Sequence, residues 1–260
     1  MGEYLRKEKL MTPIALLGLA TVIIGTSFLS GLFGMAGGII LVGALFLFMP
    51  VPAAMVLHAI TQMASNGWRA ILWWHYVRWS TVLSYIVGCM IALAVWSYFK
   101  YVPDVATALI FLGLTPFIVK ALPSNLKPNP HSPRQGVLYG IGCMSLMLLT
   151  GVAGPVLDSF FLGGDMDRRR IIASKGMCQL FGHGVKLAYF GAIIDQSAQI
   201  DYSLAAIAVG AAMLGTMLAK QFLEAMSDAQ FRTWANSLIV AIGSYYLVYG
   251  SYLMLSGAAA

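Results

Sequence analysis

Gly34-Met35-Ala36-Gly37-Gly38 returns in kind, 117 residues later, as Gly151-Val152-Ala153-Gly154-Pro155. Each stretch interrupts an apolar run long enough to enter a membrane. Glycine permits a tight reversal and close backbone approach, while proline removes a helix donor, so both stretches read as helix breaks. Paired interruptions at corresponding places in the two halves of a membrane chain point to a transport site.

Outward from these breaks, apolar runs bounded by turn residues fall at 12–33, 37–49, 53–74, 80–99 and 104–122. A second set falls at 136–153, 155–163, 171–194, 202–223 and 231–255. Crossing a bilayer takes about 20 residues, so 37–49 and 155–163 are too short and read as arms of broken or re-entrant hairpins. The chain is 59% hydrophobic and 10% charged, with a mean hydropathy of +0.79, which leaves no room for a water-soluble domain. The expected fold is an all-α integral membrane protein of two homologous repeats, at 12–122 and 136–255, joined by a cytoplasmic linker at 123–135.

The repeat continues past the glycines without a gap. His58 to Gln62 lies over Lys175 to Gln179, and Asn66 to Arg69 lies over His183 to Lys186. A five-residue insertion near Asp195 to Asp201 then shifts the register, pairing Gly88 with Gly210. Five segments per half is an odd number, so the second half should insert inverted relative to the first. Loop charges agree: His75 to Arg78, Lys120 to Arg134 and Arg168 to Arg170 read as cytoplasmic, and the acidic stretch Asp195 to Asp201 reads as outside. Arg6, Lys7 and Lys9 go against this scheme, because it puts them outside.

The net charge of +6 fits positive-inside anchoring, and no basic stripe suits nucleic acid. Cys89, Cys143 and Cys178 stand alone, without the spacing of a zinc site or disulfide framework. The first apolar run lacks a cleavage site and should be retained as a span. Neither GxGxxG after a strand nor GxxxxGKS is present, nor HExxH or GxSxG. No metal or cofactor is expected.

Two polar stripes remain. His58, Gln62, Asn66 and Arg69 follow at helical spacing on one run, and Lys175, Gln179, His183 and Lys186 on the other. Both should face inward, because polar groups facing lipid are costly. Gln62, Asn66, Gln179 and His183 sit near mid-span, where they could hold a substrate or simply join helices. Arg69 and Lys186 could snorkel to the interface or set a preference for anions. His58 and Lys175, near helix starts, suit an entrance or interface. Helices starting at Gly37, Gly38 and Gly154 would point free N–H groups at an anion. Asp158 has Leu41 as its equivalent in the first repeat, so whatever it does is asymmetric. It is the acid expected at membrane depth, for coupling to a proton or cation or for an ion pair with Lys175 or Lys186.

Ser30-Gly31-Leu32-Phe33-Gly34-Met35-Ala36-Gly37-Gly38-Ile39-Ile40-Leu41-Val42 resembles the opening motif of the TauE/SafE family of membrane permeases. Gly151 to Pro155 is similar to that family's second-half motif, and Gly210 to Arg232 to its closing segment. Ala36 and Gly43 depart from the usual glycine and proline. The resemblance implies a multi-pass protein of the bacterial inner membrane that moves sulfite, sulfoacetate or another sulfonate. Substrate contacts would come from Gly37, Gly38, Gln62, Asn66, Gly154, Gln179 and His183, with Arg69 or Lys186 setting the charge. The competing readings are a haem protein or membrane enzyme, and a scaffold that moves nothing. Oligomeric state, direction and coupling ion are not fixed by the sequence.

Overall fold

Turn residues set the ends of the helices. Pro50 and Pro52 open one helix, and the Ser132 hydroxyl caps another by accepting from Gln135 N–H at 3.4 Å, with Pro133 in its first turn. That second helix ends where Gly151 turns left-handed (φ 89°) and donates its N–H to the Met147 carbonyl at 2.9 Å. A side chain there would strain the backbone.

The computed structural model describes residues 13–33, 36–121, 128–162, 166, 168–194, 200–225 and 228–257. Within them lie ten α-helices and no strand. The first five are α1 (Pro13–Phe33), α2 (Ala36–Phe46), α3 (Val51–Leu72), α4 (Trp79–Phe99) and α5 (Val105–Ala121). The others are α6 (Pro133–Thr150), α7 (Gly154–Leu162), α8 (Arg168–Ala188), α9 (Tyr202–Ala225) and α10 (Asp228–Ser256). A 3-10 turn (Trp74–Tyr76) follows α3, and a π-helical turn (Tyr189–Ile193) follows α8. Gly34 and Met35 of the first break lie outside the described residues. So do Arg6, Lys7 and Lys9, the linker core 122–127, and 195–199 of the acidic loop.

Among the described residues, three helical stretches are long and apolar enough to cross a membrane: Pro13–Phe33, Trp79–Phe99 and Tyr202–Ala219. On α4, Leu83, Val87, Met90, Ile91 and Val95 are exposed on one face, while Val82, Tyr85, Cys89 and Ala92 are buried on the other. An apolar face turned outward is what lipid requires. Exposed Trp73, Trp74, Tyr76 and Trp79 gather at the start of α4, and Tyr98, Phe99 and Tyr101 at its end. The 21 residues between them cover about 30 Å, so the two aromatic groups sit where bilayer interfaces would be.

Four helix pairs pack most closely: α1 with α9, α4 with α6, α3 with α8, and α5 with α10. Helices α4 and α6 run parallel, linked by Thr81 Oγ1 to the Pro130 carbonyl (2.7 Å) and, further along both, Trp96 Nε1 to Ser145 Oγ (3.1 Å). Gly88 and Gly140 let them touch, since a Cβ on Gly140 would lie 2.2 Å from the Tyr85 carbonyl oxygen. Helices α1 and α9 are also parallel, with Gly215 against Ile24 to Phe28 and Ala219 against Gly31. The other two pairs are antiparallel. His58 meets Lys186 and Gly67 meets Leu180 across α3 and α8, while Gly250 meets Ala106 and Gly243 meets Gly113 across α5 and α10.

Candidate functional site

The antiparallel crossing of α3 and α8 lays the two polar stripes against each other. Gln62, Gln179 and His183 are buried there, at 4%, 7% and 2% exposure. With Gly38 and Ile39 of α2 and Val152, Ala153 and Gly154 at the start of α7, they line a cavity of about 10 Å³. That is room for about one water molecule. Of the residues singled out in the sequence, Gly38, Gln62, Gly154, Gln179 and His183 meet in this wall. Gly37, Asn66, Arg69, Lys186 and Asp158 do not reach it.

Asn66 and Arg69 act one step behind the wall. The Arg69 guanidinium donates to Asn66 Oδ1, and Asn66 Nδ2 donates to Gln62 Oε1 at 3.4 Å. Arginine has only donors, so it fixes the Asn66 amide with its oxygen toward Arg69, and Asn66 in turn takes up the Gln62 oxygen. The Gln62 amide nitrogen is buried and without a partner among the described residues, on a side chain that lines the cavity. The His183 Nδ1 is likewise buried and unpartnered. An unmet buried donor costs about 1–3 kcal/mol, which a bound acceptor would recover. Arg69 also donates to the Ser30 carbonyl of α1 at 3.4 Å.

Backbone donors add to this wall. The first ladder bond of α7 runs from Leu157 N–H to the Ala153 carbonyl (3.0 Å). The N–H groups of Gly154 and Val156 precede it and have no partner within the helix. Neighbouring Gly37 and Gly38 serve different surfaces of α2. A Cβ on Gly38 would touch the Gln62 amide at 3.4 Å, whereas one on Gly37 would lie 1.8 Å from the Thr26 carbonyl oxygen of α1. Gly38 therefore borders the cavity, and Gly37 seats α2 on α1.

His58 is fully buried rather than at an entrance. Its Nε2 meets the Gly38 carbonyl at 3.0 Å, and its Nδ1 lies 2.7 Å from Lys186 Nζ. Lys186, also fully buried, donates to the Gly151 carbonyl at 2.9 Å. A single hydrogen-bonded chain thus runs from the first break to the second. Asp158 pairs with Lys175, both partly exposed, and joins α7 to α8.

Against this geometry the sequence model of the family described as sulfite exporter TauE/SafE matches residues 17–246. The chain belongs to the TauE/SafE family. That family consists of membrane transporters, and the match runs through both breaks and both polar stripes of this TauE/SafE protein. No curated protein and no solved structure matches the chain.

In this TauE/SafE protein the sequence reading missed Ile39, Val152 and Ala153 as wall residues, for they carry no polar signal. It also missed the link from His58 to Lys186. The spacing of the stripes contained a hint, because His58 stands one turn before Gln62, and an antiparallel crossing brings it to the far end of the opposite stripe.

Proposed function

We propose that this protein is a secondary transporter of a small sulfur-containing anion (sulfite, sulfoacetate or another sulfonate) in the bacterial inner membrane. The observation that carries the reading is the relay from Arg69 through Asn66 to Gln62, which leaves a buried, unpartnered amide donor on a side chain that lines the cavity. Gln62, Gln179, His183 and the α7 N–H groups at Gly154 would hold the anion's oxygens, with Gly38 giving them room. Arg69 favours an anion through the amide chain without touching it. The chain has no ATP-binding motif, so transport would draw on an ion gradient or on the gradient of the anion.

The two halves, 12–122 and 136–255, are best read as inverted repeats that alternate access by rocking. Exchanging α1–α5 with α6–α10 turns the α1–α9 pair into α6–α4 and returns α3–α8 and α5–α10 to themselves. A two-fold axis relating two antiparallel helices lies across them, hence in the membrane plane. A cavity of about 10 Å³ is too small for sulfite, with its four heavy atoms, so loading would require α2 and α7 to part.

A haem reading is disfavoured because both ring nitrogens of His58 are engaged. The test of transport is counterflow of labelled sulfite, sulfoacetate and methanesulfonate in proteoliposomes. Flux in the wild type that disappears in both Gln62→Ala and Gln179→Ala supports the site. Undiminished flux in both variants rejects it.

A further inference from the structure

We infer that Lys186 and His58 form a proton site that fills and empties together with the neighbouring anion cavity. The inference rests on the anion-transport reading and names its coupling ion. The Gly38 carbonyl can only accept, so His58 Nε2 carries a hydrogen and donates it across 3.0 Å. In a neutral ring Nδ1 then offers a lone pair, and Lys186 Nζ donates to it across 2.7 Å while also donating to Gly151. An imidazolium beside an ammonium would aim two hydrogens at each other across that gap. The pair therefore holds one excess proton or none.

Its surroundings leave that charge without a counter-ion. Helix α2 supplies the Gly38 carbonyl and has no ionisable side chain, and the turn before α7 supplies the Gly151 carbonyl. From α8 comes His183, its ring 5.5 Å from that of His58. Lys175 is engaged with Asp158 of α7. Arg69 of α3 is about 16 Å along the helix and engaged with Asn66 and Ser30. Of the elements packed against α8, α4 carries Tyr85 and Cys89, α6 carries Tyr139 and Cys143, and the π-helical turn carries Tyr189, whose hydroxyl donates to Tyr101 O. Helix α9 meets α3 through Thr216 and Ser65. Among the described residues no carboxylate reaches the pair.

A lone buried charge is costly, and an anion in the adjoining cavity supplies the missing opposite sign. Anion binding therefore favours proton binding, and the linkage is reciprocal. The pair is also placed to act on the halves, since its hydrogen bonds end on the carbonyls of Gly38 and Gly151. Its repeat equivalents, Lys175 and Arg69, cannot substitute: one is paired with an acid, and the other keeps its charge at any pH reached in a cell.

The test counts protons. Purified full-length protein is titrated with methanesulfonate and sulfoacetate by calorimetry in two buffers of different ionisation heat, between pH 5 and 9. The sulfonate group keeps its charge over this range, whereas sulfite itself takes up a proton and serves only as a binding control. The wild type should take up about one proton per anion on the alkaline side of that range, with affinity falling about tenfold per pH unit there. Lys186→Gln should bring the uptake close to zero, and Lys186→Arg should bind with no uptake and a flat pH profile. Asp158→Asn should keep the uptake, and its loss there would move the proton to Asp158 and overturn the inference. Wild-type binding without proton uptake at any pH would overturn it too, while leaving the anion reading intact. Absence of both binding and counterflow for every anion, sulfite included, would overturn the anion reading itself.

Discussion

Asn66 holds Gln62 by its oxygen, Nδ2 to Oε1 at 3.4 Å, and so decides which end of that amide meets the cavity. Gln62→Glu preserves size and replaces the inward donor with an acceptor. Anion affinity should fall about 100-fold, in line with the loss of a hydrogen bond to a charged group and the arrival of a like charge. Asn66→Ala should lower it about tenfold by freeing the amide to turn. Anion-dependent shifts in melting temperature measure both, and an unchanged shift in Gln62→Glu removes Gln62 from the site.

Gly37 and Gly38 should respond oppositely to one methyl group. Gly37→Ala drives a Cβ into the Thr26 carbonyl and should sharply reduce folded protein in detergent. Gly38→Ala makes an ordinary contact with Gln62 and should fold, yet lose most of its counterflow because the methyl fills the cavity. Size-exclusion profiles separate the first outcome from the second.

The α4–α6 contact gives a second glycine pair. Gly140→Ala places a methyl 2.2 Å from the Tyr85 carbonyl oxygen and should lower the melting temperature by several degrees. Gly142, on the same helix, has nothing within 4 Å of an added Cβ. Gly142→Ala should be neutral or gain up to about 1 kcal/mol from helix propensity.

Asp158→Asn should cost less than about 1 kcal/mol, because the pair with Lys175 is partly exposed and screened. Counterflow should survive. A large loss of flux with normal folding would show that Asp158 does more than join α7 to α8.

Much of the helix layout was legible. Long apolar runs and the residues that break them have local causes, so the ten helices fall within a few residues of the ten runs. The stripes were legible too, because a spacing of three or four fixes a helix face. What sequence could not supply was depth within that face. Gln62 and Asn66 share a stripe, yet only the crossing of α8 over α3 puts one in the wall and the other behind it. Gly37 and Gly38 are about 100° apart around α2, so identical neighbours serve different contacts. His58 looked peripheral because it lies near a helix start. Helix α2 packs against that end of α3, and the Gly38 carbonyl meets the buried His58 ring.

The closest partner of α1 is α9, and that of α4 is α6. A ribosome that has completed α5 has therefore made outer helices whose intended neighbours do not yet exist. The early half must wait in the membrane, its packing faces covered only by lipid or by the insertion machinery. A chain cut between 121 and 128 should accordingly accumulate when both pieces are made together, and be degraded when either is made alone.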